Sequence, residues 1–292
     1  MAVISGKGGA GKTSITAALA YELQLRGKKI IAIDTDVDAP NLALVLKGKL
    51  VDSIEASTSK LAKIDSNLCN NCGKCITYCK PEALIFQKDS KTPLLLPYLC
   101  EGCGICQIVC PQNAITLENR IDGWIRVYVT DYGFKLVMGE LDIGGVASGK
   151  LVSETKQLAY SLIKEPLDLI LIDGPPGSGC PVISTLNDVD YILFITEPTP
   201  TALHDLDRLI KIRDTFGIEA GAIINKFDIH KPILKKIEKH LKEKNIELYS
   251  KLPYDKIIPK SIVNGKPFPV LNNGSDISRK FGEIVEKIIK IL

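Results

Sequence analysis

Eight of the nine cysteines in this 292-residue chain fall into two runs of identical spacing, Cys69-x2-Cys72-x2-Cys75-x3-Cys79 and Cys100-x2-Cys103-x2-Cys106-x3-Cys110. Thiolates are soft ligands that suit zinc or iron–sulfur clusters. Zinc takes four ligands from two C-x2-C knuckles, whereas each run offers three closely spaced thiols and a fourth further on, so clusters are the better match. Disulfides need an oxidising compartment. The sequence opens directly into a strand-like segment with no signal peptide, so a cytoplasmic chain with free thiols is expected. The second chemical signal is Gly6-Lys7-Gly8-Gly9-Ala10-Gly11-Lys12-Thr13, followed by Ser14, which satisfies G-x4-G-K-S/T in full. A strand before this turn and a helix after it would aim backbone N–H groups at phosphate oxygens. Lys12 is then placed to reach the β- and γ-phosphates, and the Thr13 hydroxyl to ligate Mg2+.

The cysteine spacing resembles that of bacterial two-cluster ferredoxins, in which the fourth cysteine of each run crosses to the other cluster. The resemblance implies Cys69, Cys72, Cys75 and Cys110 as ligands of one 4Fe-4S cluster, and Cys100, Cys103, Cys106 and Cys79 as ligands of the second. The repeated run reads as a duplicated cysteine-loop unit. Pro111 follows Cys110 directly while Lys80 separates Cys79 from Pro81, a departure that concerns the turn after Cys79 and not the ligation.

Lys7 narrows the phosphate loop further. The form K-G-G-x-G-K-T resembles the deviant P-loop of the MinD, ParA, Mrp and nitrogenase iron protein superfamily. That resemblance implies ATP and Mg2+ as cofactors and an ATP-dependent homodimer in which Lys7 reaches the other subunit's phosphates. Asp34-Thr35-Asp36-Val37-Asp38 resembles the family's D-x-D switch segment and puts Asp36 where the water-orienting carboxylate sits, with Asp38 an open alternative. Lys7, Lys12 and Asp36 are thus the expected catalytic set. Asp173-Gly174-Pro175-Pro176-Gly177 ends an apolar run like a Walker B strand, which implies Asp173 as a water-mediated Mg2+ ligand. Glu197-Pro198-Thr199-Pro200 resembles a third phosphate-facing loop. Asn225 and Lys226 fall where relatives bind adenine, although strand-end asparagines also serve as turn formers. Pro253-Tyr254-Asp255 matches the loop that closes over the base. Cys180 lies seven residues after Asp173, the offset of a bridging-cluster cysteine in the nitrogenase iron protein. The second cysteine that such a bridge needs is missing, and a buried, inert thiol is the commoner state.

The elements that must position these groups follow from periodicity. Apolar runs at 2–4, 29–33, 167–172, 191–196 and 220–225 read as buried parallel strands, with helical patterns at 14–25 and 202–216. Their alternation predicts an α/β fold with a mostly parallel sheet, a P-loop NTPase core, into which a small α+β ferredoxin-like domain is inserted. Polar stretches at 55–60 and 118–123 set the expected borders: core 1–58, insert 59–119 and core 120–292. Residues 123–141 alternate as a hairpin would. Residues 144–150 read as a flexible basic loop, either a linker or a contact with the dimer partner or the insert. The lysine-rich helix near 231–244 reads as a solvated face. The C-terminal pattern Phe281, Ile284, Val285, Ile288, Ile289 and Leu292 is amphipathic with mixed charge opposite, and is expected to pack on the sheet and not to anchor to a membrane. No apolar run is long enough to span a bilayer, and a net charge of +3 gives no case for nucleic acid.

The resemblances together imply an ATPase that couples dimer closure to electron transfer toward a protein redox partner, a metalloenzyme or its maturation. Two alternatives are an iron–sulfur cluster carrier and a MinD- or ParA-like positioning protein. Carriers hold a labile cluster through a late C-x-x-C, and no cysteine follows Cys180. Positioning gives no reason for eight cluster ligands.

Overall fold

A computed structural model describes residues 1–292 except 87, 89, 147, 272 and 273. The first apolar runs form β1 (Ala2–Ser5) and β2 (Ile30–Asp34), both fully buried and joined through α1 (Lys12–Leu25). Next come α2 (Leu42–Leu46) and the exposed strand β3 (Lys49–Ala56). The cysteine segment holds β4 (Ser59–Ile64), α3 (Lys74–Tyr78), β5 (Leu84–Ile85), β6 (Leu94–Leu95), α4 (Ile105–Ile108) and β7 (Ile115–Arg120). The chain returns through β8 (Gly123–Val129), β9 (Lys135–Leu141), α5 (Ser148–Ser161), β10 (Leu169–Pro176), α6 (Cys180–Leu186), β11 (Tyr191–Thr196) and α7 (Pro200–Phe216). It ends with β12 (Glu219–Ile224), α8 (Lys231–Glu243), β13 (Glu247–Lys251), α9 (Ile257–Asn264), α10 (Phe268–Leu271) and α11 (Asp276–Ile289).

One nine-stranded sheet runs in the order β13-β12-β11-β1-β10-β2-β9-β8-β3. The pairs from β13 to β9 are all parallel, and only β8 is antiparallel to its neighbours β9 and β3. Parallel strands are buried on both faces, which is why the runs at 2–4, 30–33 and 192–195 are uniformly apolar. One face packs against Leu19 and Leu23 of α1, Leu42 of α2, and Phe281, Ile284 and Ile288 of α11. The other packs against Leu151 of α5, Val182 of α6, Leu206 and Leu209 of α7, and Ile237 of α8. The Phe268 and Phe281 rings meet edge-on at 4.9 Å, locking α10 to α11, a geometry that adds to their area burial. The expected packing of the C-terminal helix is found, except that Leu292 lies beyond α11 and is 44% exposed.

Strands β4 and β7 pair antiparallel from Ser59↔Arg120 to Ile64↔Ile115 in a sheet of their own, as do β5 and β6. A separate small core of Ala62, Cys75, Ala83, Leu84, Cys100, Cys106 and Ile115 lies there. The polar stretches read as borders are themselves strand: residues 55–56 extend β3, 59–60 open β4, and 118–120 close β7. The chain crosses between the two sheets at residues 57–58 and 121–122. Two further sequence expectations need correcting. Helix α1 begins at Lys12 and not at residue 14, because Gly11 at φ 91 already serves as its cap. The flexible loop assigned to 144–150 stops at Val146, since 148–150 form the first turn of α5; Ala147 lies outside the described residues. Among the described residues no helix is long and apolar enough to cross a membrane.

Candidate nucleotide site and cysteine hollows

Carboxyl ends of β1, β2 and β10 converge, and open α/β sheets bind ligands in the crevice outside such strand ends. A cleft of about 510 Å³ lies there, walled by the glycine-rich loop from Gly8 to Ser14, by Asp36 and Asp38, and by Pro175 and Pro176. Glycine is required twice in the loop. A Cβ at Gly6 would lie 2.4 Å from Asp205 Cβ, and one at Gly11, whose φ is positive, 2.4 Å from Asn225 Nδ2.

Lys12, only 6% exposed, is the hub. Its Nζ stands 3.0 Å from Asp173 Oδ1 and 3.6 Å from Asp36 Oδ2. Thr13 Oγ1 donates to Asp173 Oδ2 at 2.7 Å, and Thr16 Oγ1 to Asp173 Oδ1 at 2.8 Å. Asp34, fully buried, accepts from the backbone N–H groups of Asp36 (3.0 Å), Asn41 (3.1 Å) and Leu42 (2.9 Å), which fixes the aspartate-rich turn and the start of α2. Burial disfavours the Lys12 ammonium, but Asp173, Asp34 and Asp36 around it more than offset this and raise its pKa. Burial, reinforced by Asp173, raises the pKa of Asp34. For Asp36 burial is again the main cause, opposed by Lys12, and its carboxyl is pushed up to about 6. Three carboxylates thus surround one ammonium, an excess of negative charge that a hard divalent cation would neutralise.

In the cysteine segment, Gly73 (φ 74) and Gly104 (φ 81) each turn a C-x2-C loop into a short helix, so Cys75 and Cys106 occupy equivalent positions in α3 and α4. Two hollows result. One is walled by Cys69, Cys72, Cys75 and Cys110, the other by Cys79, Cys100, Cys103 and Cys106. Burial, then the neighbouring cysteines, raise the thiol pKa of Cys75 and Cys106. Among the described residues no three His, Cys, Asp or Glu side chains form a group that could hold a single metal ion; the thiols stand around the walls of each hollow. All nine cysteines are unpaired. Cys180 is exposed where a buried thiol was expected, because Gly179 and Pro181 start α6 at the surface.

Residues 1–268 match the family model described as the CobQ/CobB/MinD/ParA nucleotide binding domain. The chain belongs to this family. It is 37% identical to an uncharacterized protein of Methanocaldococcus jannaschii over 99% of this chain and 95% of that one. An iron-sulfur cluster carrier protein of the same organism is 24% identical over 99% and 83%. The fold is similar to that of the septum site-determining protein MinD complexed with Mg-ADP from Pyrococcus horikoshii, with a TM-score of 0.59, 20% identity and coverage of 99% and 95%.

Against the expectations for this family, Lys12, Thr13, Asp36 and Asp173 are brought together, and Asp38, exposed on the rim, makes no contact with Lys12. Lys7 is not part of the cleft wall: its Nζ lies 2.5 Å from Glu197 Oε1. Glu197 also takes Lys226 at 2.8 Å, and Lys226 donates to Gly9 O at 2.8 Å. Burial would raise the Glu197 pKa, but Lys226 and Lys7 bring it below the ordinary value. Asn225 spends its amide on the phosphate loop, donating to Ala10 O at 2.9 Å. Asp255 accepts from Ile257 N at 2.9 Å just ahead of α9, and neither it nor Pro253 walls the cleft. Thr16 was not singled out from the sequence, and Asp34 and Glu197 appeared there only within their segments, with no role of their own. Asp34 and Glu197 carried the strand-end carboxylate signal that marked Asp173.

Proposed function

We propose that the protein is an ATPase whose ATP-dependent dimer closure is coupled to electron transfer through two 4Fe-4S clusters, in the service of a protein redox partner, a metalloenzyme or its maturation. The observation that carries this reading is the crossed composition of the two hollows, each with three cysteines from one run and one from the other. Four soft thiolates around a hollow fit an iron–sulfur cluster. On this reading residues 59–119 are an inserted ferredoxin-like domain, with Cys69, Cys72, Cys75 and Cys110 holding one cluster and Cys79, Cys100, Cys103 and Cys106 the other. The clusters supply one-electron chemistry when bound.

At the nucleotide, loop N–H groups and Lys12 take phosphate charge, Thr13 and Asp173 hold Mg2+, and Asp36 orients the attacking water. On closure Lys7 would leave Glu197 for the second subunit's phosphates. Base contact by Asn225, Lys226, Pro253 and Asp255 would require the same closure to release Asn225 from Ala10 O and Lys226 from Gly9 O and to bring Pro253 and Asp255 to the cleft. Anaerobically isolated protein should contain about eight iron and eight acid-labile sulfide per chain. Stoichiometric zinc without charge-transfer absorption would overturn the assignment. Cluster donation is a second reading, favoured by the exposure of Cys72 and Cys103 and by the name of the 24% identical relative. Quantitative loss of iron to an apo-acceptor during ATP turnover would select it.

A further inference from the structure

A polar junction that neither site uses joins the cysteine segment to the main sheet. Asp122, wholly buried, closes it. Its Oδ2 accepts from the N–H groups of Thr58 (3.1 Å) and Ser59 (2.6 Å) and from the Thr58 hydroxyl (3.1 Å), and its Oδ1 from the Ser59 hydroxyl (2.7 Å). One carboxylate thereby fastens both places where the chain crosses between sheets. Beside it Arg120, with Nε 3.5 Å from Asp122 Oδ1, forks in two directions. Nη2 donates to Gly144 O at 2.6 Å on the loop after β9, and Nη1 to Pro97 O at 2.9 Å, with Cys100 O at 3.5 Å.

That same loop is tied to the phosphate site from its other end. Leu141, the last residue of β9, donates its N–H to Val37 O at 2.8 Å, directly after Asp36, and Asp142 N–H donates to Asp122 O at 2.7 Å. A hydrogen-bonded line therefore runs from Val37 through Leu141 and Gly144 to Arg120 and the Cys100 turn. Little slack is left in it. Gly144 has a φ of +76, and a Cβ there would lie 3.0 Å from Tyr98 Cβ. A planar guanidinium bonded to carbonyls on two facing segments is a stiff spacer, which a flexible ammonium would not be.

We propose that Arg120 is the positioning residue that couples the aspartate-rich segment to the second cysteine hollow, carrying displacement of Val37 to the turn that bears Cys100. This rests on the reading of the chain as a nucleotide-switched protein. A connector transmits a shift only if both ends are held, and here a buried carboxylate and a forked guanidinium hold them.

Hydrogen–deuterium exchange of the anaerobically prepared full chain, with and without a non-hydrolysable ATP analogue and Mg2+, reads both ends of the line. In the wild type, amides of residues 34–42 and of residues 98–104 both change their exchange rates, by about five-fold or more. In Arg120→Ala the response at 34–42 persists and that at 98–104 is lost, with iron content unchanged. Arg120→Lys keeps the charge beside Asp122 but cannot fork, so it loses the 98–104 response too; it carries the test should the alanine variant not fold. No response at 34–42 in the wild type would sink the nucleotide reading itself. A wild-type response at 34–42 without one at 98–104 overturns the coupling, and a retained 98–104 response in either variant overturns the role of Arg120.

Discussion

The phosphate cleft takes its charged groups from strands far apart in the chain, whereas the cysteine hollows take theirs from two short runs. Lys12, Asp36 and Asp173 meet because β1, β2 and β10 lie side by side in the sheet. Each cysteine triplet is shaped locally, by a left-handed glycine ahead of a short helix. Only the fourth cysteine of each hollow needs tertiary structure, supplied by the β4–β7 pairing beneath. The lesson is about failure: a charge network should break as a whole, and a local loop one unit at a time.

The largest effect is expected at the network's hub. Lys12→Ala removes the one ammonium among three carboxylates and should abolish productive ATP binding, a loss of at least about a hundred-fold for a charge-assisted contact of about 3 kcal/mol. Titration of a fluorescent ATP analogue measures it, and near-normal affinity would break the picture of a single hub. Lys7→Ala should spare ATP binding by the monomer but remove ATP-dependent dimerisation and hydrolysis, read by light scattering and phosphate release. Normal turnover by that variant would mean that Lys7 has no part across a dimer interface.

Modular failure gives the next prediction. Cys110→Ala should cost the first hollow its cluster while the second, with Cys79, stays intact, so iron content falls by about half. Spectral loss confined instead to the Cys100–Cys103–Cys106 set would show that the fourth cysteines do not cross.

How far each region was legible follows from the same contrast. Both cysteine runs and the glycine-rich loop are contiguous, so their spacing alone marked the residues that line the hollows and the cleft. Asp173 was legible because Pro-Pro-Gly follows it at a strand end. Glu197 and Asp34 sit at strand ends too, but the role of Asp34 comes from the turn that brings the N–H groups of Asn41 and Leu42 back to it, and that of Glu197 from Lys7 and Lys226, which only the folded sheet brings near. The amide of Asn225 goes to Ala10 for the same non-local reason. The five expected strand runs were found to within a residue or two except at β10, which runs to Pro176, four residues past its expected end, whereas the start of α1 depended on the φ of Gly11, which spacing does not encode.

The smallest prediction concerns pH in the nucleotide-free protein. Asp36 has its carboxyl pushed up to about 6 by burial, while an unfolded chain titrates near about 3.9. The folded state therefore binds a proton that the unfolded state does not, and stability should rise as pH falls through 6. Between about pH 7.5 and 5.5 this contributes about 1 kcal/mol. Denaturant melts of Asp36→Asn should show a flatter slope over that window; an unchanged slope would remove Asp36 from the network.

The central claim, that nucleotide state and cluster state are coupled, is tested most directly by the affinity for a non-hydrolysable ATP analogue, measured anaerobically on oxidised and on dithionite-reduced protein. Linkage makes the effect reciprocal, so a coupling of ordinary size appears as a change in Kd of about five-fold or more. Equal affinities in the two redox states would contradict the account.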